Sequence, residues 1–295
     1  IGEKHVKILK KHFKFHKIFI FTKRKIKNYY LIDKLKKIKK LNFDYIVVSS
    51  NTSKHLHHVK YIEKNFSKKK IFVEKPLFSK FEKFKIKKNK FFIGYNLRFH
   101  PLLVLLNKKI KKLKIYNIHV ICNSFLPNWR KNIHYKNSSS SHKSKGGGVL
   151  LDLSHELDYI RWIFGNLSLN FVNMRRLSEI TKNTEDTLQL IGKVNNANLS
   201  LDLNYFSRIP KRSIYIDGKN FSISVDLINN VFKMIMNKKT YLKKINKFNK
   251  NFTYIQLHKA ILEGKIKNVC NYTFANETMK LIDDIKKFKT KKISK

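Results

Sequence analysis

"DYIVVSSNTSKHLHHVKYIEKNFSKKKIFVEKP" (Asp44–Pro76) decides the fold. It opens on a short apolar run, Asp44–Ser50, and closes on a second, Lys70–Pro76, with a helical stretch of about His55–Asn65 between them. Continuous apolar runs joined through a helix predict parallel strands buried on both faces and linked by crossovers. The pattern extends outward in both directions. "KIFIFT" (Lys17–Thr22) and "KFFIGYN" (Lys90–Asn96) read as further strands, with helices predicted over Glu3–His12, Asp33–Lys40 and Phe81–Lys87. In such a sheet ligands bind beyond the carboxyl ends of the strands. Those ends are Thr22, Ser49–Thr52, Glu74–Pro76 and Tyr95–Arg98.

The second half reads differently. A helix near Pro101–Lys111, a strand over Ile115–Ser124 and a serine-rich loop lead to a glycine run at Gly146 and a helix continuing to Phe164. Strands follow at Leu167–Leu177, Thr187–Val194, Asn198–Phe206, Ser213–Asp217 and Phe221–Asp226, the last two joined by the turn "DGKN". This predicts an α+β unit with an open, largely antiparallel sheet, one face covered by helices. The expected division is residues 1–98 for a Rossmann-like unit and 99–274 for the second. Residues 275–295 form a helix returning to the first unit, and a tail.

Composition narrows the function classes. The net charge is +46, yet only eight of the 65 basic residues are Arg, and Ala occurs only at 197, 260 and 275. Lys, Asn, Ile, Phe and Tyr share A/T-rich codons, so base composition accounts for the lysines as a group. A nucleic-acid site concentrates Arg on one element, whereas here Lys runs through the whole chain, so no nucleic-acid partner is expected. No run of about 18 apolar residues predicts a membrane span. Cys122 and Cys270 stand alone; no CxxC or Cys/His cluster predicts a metal or disulfide, and a reducing, cytoplasmic setting is expected.

Two stretches carry chemistry. In "VEKPLF", Pro76 restricts the residue before it to extended geometry, so Lys75 projects from a strand end where an ammonium can orient a hydroxyl. In "GGGVLLDLSHELDYIRWIFG" (Gly146–Gly165), Val149, Leu153, Leu157, Ile160 and Phe164 form a core stripe. Asp152, His155 and Asp158 fall on the other side, a histidine between two acids. A neighbouring carboxylate stabilises an imidazolium and selects a tautomer, as a general acid or base requires.

"VEKP", "GYNLRFHP" (Gly94–Pro101) and "GGGVLLDLSHELDY" (Gly146–Tyr159) together resemble the Gfo/Idh/MocA oxidoreductases, across essentially the whole chain and in the right order. The stretch Leu126–Gly148 resembles members tied to nucleotide-sugar and nonulosonic-acid synthesis. The resemblance implies an NAD(P)-dependent enzyme that moves a hydride between the nicotinamide and a sugar or nucleotide-sugar, assembled as a homodimer or homotetramer. It implies that Lys75 contacts cofactor and substrate, that His155 transfers the proton, and that Asp152 orients it or binds substrate. Asn51, Thr52, His55, Glu74, Asn96 and Arg98 match cofactor-side segments, and Trp129, Arg130 and Tyr135 lie in the substrate loop. Gly2 and His5 match the end of the glycine fingerprint, whose start is expected before Ile1, as in an N-terminally truncated chain. The family's acid stands four residues before its histidine, but Asp152 is three before His155. Asp158 is therefore the alternative partner. Lys23-Arg24-Lys25 follows the second strand where NAD enzymes present an acid, which leans towards NADP with Arg24 at the 2′-phosphate. The alternative function is a Rossmann-type protein that binds cofactor or sugar without turnover.

Overall fold

The computed structural model describes residues 1–13, 15, 17–22, 25–27, 29–130, 134–249 and 251–288. The first unit contains α1 (Gly2–His12), β1 (Phe19–Phe21), β2 (Tyr30–Ile32), β3 (Tyr45–Val48), α2 (His55–Asn65), β4 (Lys70–Val73) and β5 (Lys90–Ile93). The second contains α3 (Pro101–Lys109), β6 (Ile115–Phe125), α4 (Val149–Asp152), α5 (Ser154–Phe164), β7 (Leu167–Arg175), β8 (Thr187–Val194), β9 (Ala197–Asn204), β10 (Phe206–Gly218), β11 (Phe221–Asp226), β12 (Val231–Met236) and β13 (Lys239–Lys244). The chain ends on α6 (Phe252–Glu263), β14 (Cys270–Asn271) and α7 (Tyr272–Lys287).

The α/β fold class stands. Strands β3, β4 and β5 are parallel, and β14 closes the far edge antiparallel to β5, giving the order β14-β5-β4-β3. Alternation along these strands buries both faces. Ile71, Val73, Phe91 and Ile93 join the main core, whereas Phe72 and Phe92 face Leu257 and Ile261 of α6 on the other side. Each such side chain contributes about 1.5–3 kcal/mol by leaving water. The second unit is an eight-stranded sheet, β13-β12-β11-β10-β6-β9-β8-β7, antiparallel at every junction except β6–β9. The predicted "DGKN" turn is present, with Asn220 left-handed at φ 64°.

Several elements differ from the sequence expectation. β1 pairs only with β2, an unpredicted strand, in a separate two-stranded parallel sheet. The stretch Asp33–Lys40 is a 3-10 helix over Leu35–Lys40. No helix forms over Phe81–Lys87, because side chains from elsewhere claim its backbone. Glu63 accepts from the Lys87 and Lys88 amides at 2.6 Å, Tyr272 donates to the Phe84 carbonyl at 2.6 Å, and Asn276 donates to that of Glu82 at 3.2 Å. These contacts also show α7 packed against the first unit. β12, β13 and α6 fill a region the sequence pattern left unassigned. In the serine-rich loop Ser138, Ser140 and Ser141 are buried, and the Ser140 carbonyl accepts from the Gly148 amide at 3.0 Å.

One buried ion pair joins the two units. Arg98, in the 3-10 turn Asn96–Phe99 after β5, donates from Nε and Nη2 to both oxygens of Asp158 on α5, at 2.8 and 2.7 Å. The guanidinium stacks 4.3 Å over Phe274 of α7. Satisfied bidentately, such a pair fixes orientation, but removing one partner strands a buried charge. Asp158→Ala is therefore expected to lose about 3–5 kcal/mol of stability in urea unfolding. A loss below about 1 kcal/mol would show that the pair behaves as a surface bridge.

Candidate active site

The carboxyl ends of the parallel strands face the helix break of the second unit. Glu74 and Lys75 leave β4, and the Lys75–Pro76 peptide is cis. Lys75 Nζ donates to the main-chain carbonyl of Asp152 at 2.5 Å, so the ammonium crosses between the units. His55 holds the loops around it. Its Nε2 faces the Ser50 carbonyl at 3.0 Å, and its Nδ1 faces those of Pro76 and Leu77 at 3.1 and 3.2 Å. Burial lowers the His55 pKa, and a neutral ring has one N–H, so it donates to one loop at a time. Asn51 is exposed at the helix entry, and Thr52 lies against Gly146.

The helix predicted over Gly146–Phe164 is two helices. It breaks at Leu153 (φ −94°, ψ 24°), between Asp152 at the end of α4 and Ser154 at the start of α5. Asp152 and His155 therefore do not share one helical phase, and their three-residue spacing no longer sets the angle between them. Gly148 (φ 113°) precedes α4, and a side chain there would occupy the space of the Glu185 carboxylate. The Glu185 carbonyl accepts from the Val149 amide at 3.1 Å, serving the otherwise unpaired first turn of α4. Gly146 is left-handed (φ 76°) at the turn that brings the loop to Thr52. The glycine run is a steric requirement of this junction.

His155 lies partly open between the units. Tyr95 meets its ring edge-on at 5.6 Å, and Nδ1 is buried without a hydrogen-bond partner among the described residues. Burial lowers its pKa well below the ordinary value, and the Lys75 and Arg212 charges push the same way. The ring is thus a neutral imidazole able to accept a proton. On the cleft side Tyr205 donates to Asp152 Oδ2 at 2.7 Å, and Trp129 meets Tyr205 edge-on at 5.3 Å. Trp129 Nε1 donates to Ser124 Oγ at 3.1 Å, and the ring borders a small gap with Arg130 and Tyr135. Lys75, Asp152, His155 and Trp129 thus converge, with Arg130 and Tyr135 along the rim.

Other predicted residues sit elsewhere. Arg98 and Asp158 are bound to each other in the interior, so Asp158 is not oriented on His155. Asn96 is buried and donates to Thr253 Oγ1 of α6 at 2.6 Å. His5 is buried at 2.7 Å from Glu74 Oε1, and Gly2 lies where a Cβ would stand 2.9 Å from Ser49 Oγ, so α1 begins tightly against the end of β3. Arg24 and Lys23 lie outside the described residues. Sequence reasoning missed Tyr205, at a strand end where a polar aromatic is a fair signal. It also missed the pair at 2.7 Å between the partly buried Arg212 and the buried Glu156 of α5, which are 56 residues apart. Among the described residues no group of three or more His, Cys, Asp or Glu could hold a metal, and no helix is long and apolar enough to cross a membrane.

Residues 104–247 match the family described as the oxidoreductase family, C-terminal alpha/beta domain. No curated protein sequence matches the chain. Among solved structures, the dehydrogenase MviM from Clostridium difficile superposes with a TM-score of 0.73 at 17% identity, over 97% of this chain and 95% of that one. The WlbA dehydrogenase from Bordetella pertussis, solved with NADH and UDP-GlcNAcA, gives 0.76 at 13% identity, over 97% and 92%. Levoglucosan dehydrogenase with NADH and levoglucosan gives 0.75 at 15% identity, over 88% and 82%. At these identities the likeness is one of fold.

The histidine's environment has a measurable sign. Its folded-state pKa lies below the unfolded value of about 6.5, so the stability tied to its neutral form is whole above that pH. It is lost as pH falls towards the folded value. Lys75→Met is expected to raise the His155 midpoint in an NMR titration, since it removes a charge that lowers it. An unmoved midpoint would leave burial and Arg212 as the only causes.

Proposed function

We propose that the chain, whose residues 104–247 match the C-terminal domain of the Gfo/Idh/MocA oxidoreductases, is a nicotinamide-dependent dehydrogenase of that type acting on a sugar or nucleotide-sugar hydroxyl. One observation carries the proposal: an ammonium from the end of a parallel strand, Lys75, reaches the helix junction that carries Asp152 beside a neutral His155. The cradle fits a dinucleotide. α1 begins against Ser49, where a side chain at Gly2 would collide with Ser49 Oγ, and its amide ends suit a pyrophosphate. Ser49–Thr52 and Glu74–Lys75 line the strand ends where the cofactor lies in this fold class. The nicotinamide, when bound, supplies the hydride acceptor or donor.

The remaining chemistry falls to the protein. His155 accepts the hydroxyl proton as the carbon is oxidised and returns it in the reverse direction. Lys75 donates a hydrogen bond to the reacting oxygen in place of the Asp152 carbonyl and stabilises negative charge developing there. Tyr205 holds the Asp152 carboxylate in place. The exposed Trp129 face offers the sugar's C–H surface a platform, with Arg130 beside it for an anionic group. The structures solved with NADH, levoglucosan and UDP-GlcNAcA support this substrate class by fold.

Two finer readings follow. The Lys23-Arg24-Lys25 run favours the 2′-phosphorylated cofactor. The open sheet face exposes Phe171, Ile191 and Tyr215 in one cross-strand row, a surface suited to a second copy of the chain. Competing fluorescence titrations with NADPH and NADH test the first, and tighter NADH binding would reverse it.

Lys75→Ala is expected to lower turnover by about 10²–10³-fold while leaving the circular dichroism spectrum unchanged, a magnitude typical of removing one donor to a developing oxyanion. The assay follows nicotinamide absorbance against a panel of sugars and nucleotide-sugars. Full activity in this variant would sink the assignment.

A further inference from the structure

Behind Lys75 runs a line of four side chains that the chemistry above does not use. Tyr45 Oη lies 2.8 Å from His258 Nδ1, and His258 Nε2 lies 2.8 Å from His5 Nδ1. His5 Nε2 is 2.7 Å from Glu74 Oε1. Glu74 Oε2 accepts from the Lys75 amide at 3.1 Å. The four come from β3, α6, α1 and the end of β4, and His5 and His258 are 1% and 0% exposed. Phe72 packs against both rings, at 4.9 and 5.0 Å.

With His5 singly protonated, hydrogen-bond bookkeeping gives the line one direction. The Tyr45 hydroxyl is held un-ionised by burial, so it has a proton to donate. Its only hydrogen-bond partner among the described residues is His258 Nδ1. Burial pushes the His258 pKa down, so that ring is neutral with a single N–H. With Nδ1 accepting from Tyr45, the proton lies on Nε2 and is donated to His5 Nδ1. His5 must then carry its proton on Nε2, facing a carboxylate that can only accept. The Tyr45 end and the Glu74 end demand the same polarity, which leaves no donor facing a donor.

We propose that Tyr45 and His258 are positioning residues that set the tautomer of His5 and so hold the Glu74 carboxylate against the Lys75 backbone. His5 lies one turn from Gly2 on α1, so the same line ties the start of that helix to the strand end that carries Lys75. Without His258, His5 is free to carry its proton on Nδ1. That would set an Nε2 lone pair against the Glu74 carboxylate, and the joint between α1 and β4 would open. The consequence for cofactor binding rests on the dehydrogenase reading; the tautomer itself does not.

The test compares three variants of the full chain. His258→Gln keeps a donor for His5 and an acceptor for Tyr45. His258→Met keeps bulk and removes both, and Tyr45→Phe removes the group that orients His258. Long-range ¹H–¹⁵N spectra of the imidazoles at neutral pH should show His5 protonated at Nε2 in the wild type and in His258→Gln. A mixture of tautomers is expected in His258→Met and Tyr45→Phe. NADH, titrated by fluorescence, should bind on the order of tenfold more weakly to His258→Met, as when an orienting partner is lost, but not to His258→Gln. Loss of packing alone would spare the Met variant and harm the Gln variant, the opposite ranking. A wild-type His5 protonated at Nδ1 would overturn the proposal even if no variant folds. So would an unchanged tautomer in both His258→Met and Tyr45→Phe. Failure of the wild type to bind NADH or NADPH would count against the dehydrogenase reading, while the spectra still decide the tautomer.

Discussion

Three consecutive residues at the end of β4 bear most of the constraints in this molecule. Glu74 gathers α1 through His5. Lys75 reaches the second unit through the Asp152 carbonyl. The Pro76 carbonyl, with that of Leu77, faces His55 of α2. An anion and a cation on adjacent residues thus serve different partners, α1 on one hand and the second unit on the other. One strand end thereby fixes a cofactor-side helix and the junction that carries the proposed base, and any shift of this tripeptide moves both.

The second constraint is electrostatic. His155 stands close enough to two cations, Lys75 and Arg212, for both to disfavour its protonation, yet neither charge is free. Arg212 is matched by the fully buried Glu156, and Lys75 rests on a carbonyl dipole. This arrangement keeps the ring neutral without stranding charge in the interior, where an unpaired ion costs several kcal/mol. Arg98 and Asp158 apply the same rule deeper down, where position rather than reactivity is needed. Fourteen residues separate Glu74 and Lys75 from the start of β5, and Arg98 follows that strand. Lys75 and Arg98 both follow strand ends, and differ in what the second unit places opposite them, a carbonyl for one and a carboxylate for the other.

Much of this was legible in the sequence. The β3–α2–β4 unit follows from apolar runs set by burial on both faces, and Lys75 from its place after a strand and before a proline. The regions that were not legible depend on contacts between distant segments. Phe81–Lys87 has a helix-like composition, but Glu63, Tyr272 and Asn276 take its backbone groups. Arg98 and Asp158 each resembled a site residue, and only the three-dimensional pairing shows them bound to each other. Tyr205, Glu156 and His258 could not be chosen locally, since each acquires its role from a partner more than 50 residues away. The lysines, loud in composition, mostly occupy solvated surface, and Lys75 is set apart from them by position alone.

The spacing of Asp152 and His155 illustrates the limit of periodicity. On a continuous helix, three residues instead of four rotate the acid by about 100° relative to the histidine, which would turn one of them away from a shared substrate. The break at Leu153 removes that objection. α4 is a single turn, started by the Glu185 carbonyl and by a glycine whose missing side chain leaves room for the Glu185 carboxylate. It ends where the Asp152 carbonyl, released from the helical ladder, becomes free to accept from Lys75. The break thus supplies both the altered angle and the acceptor that seats the ammonium, so the shortened spacing is compatible with a working site.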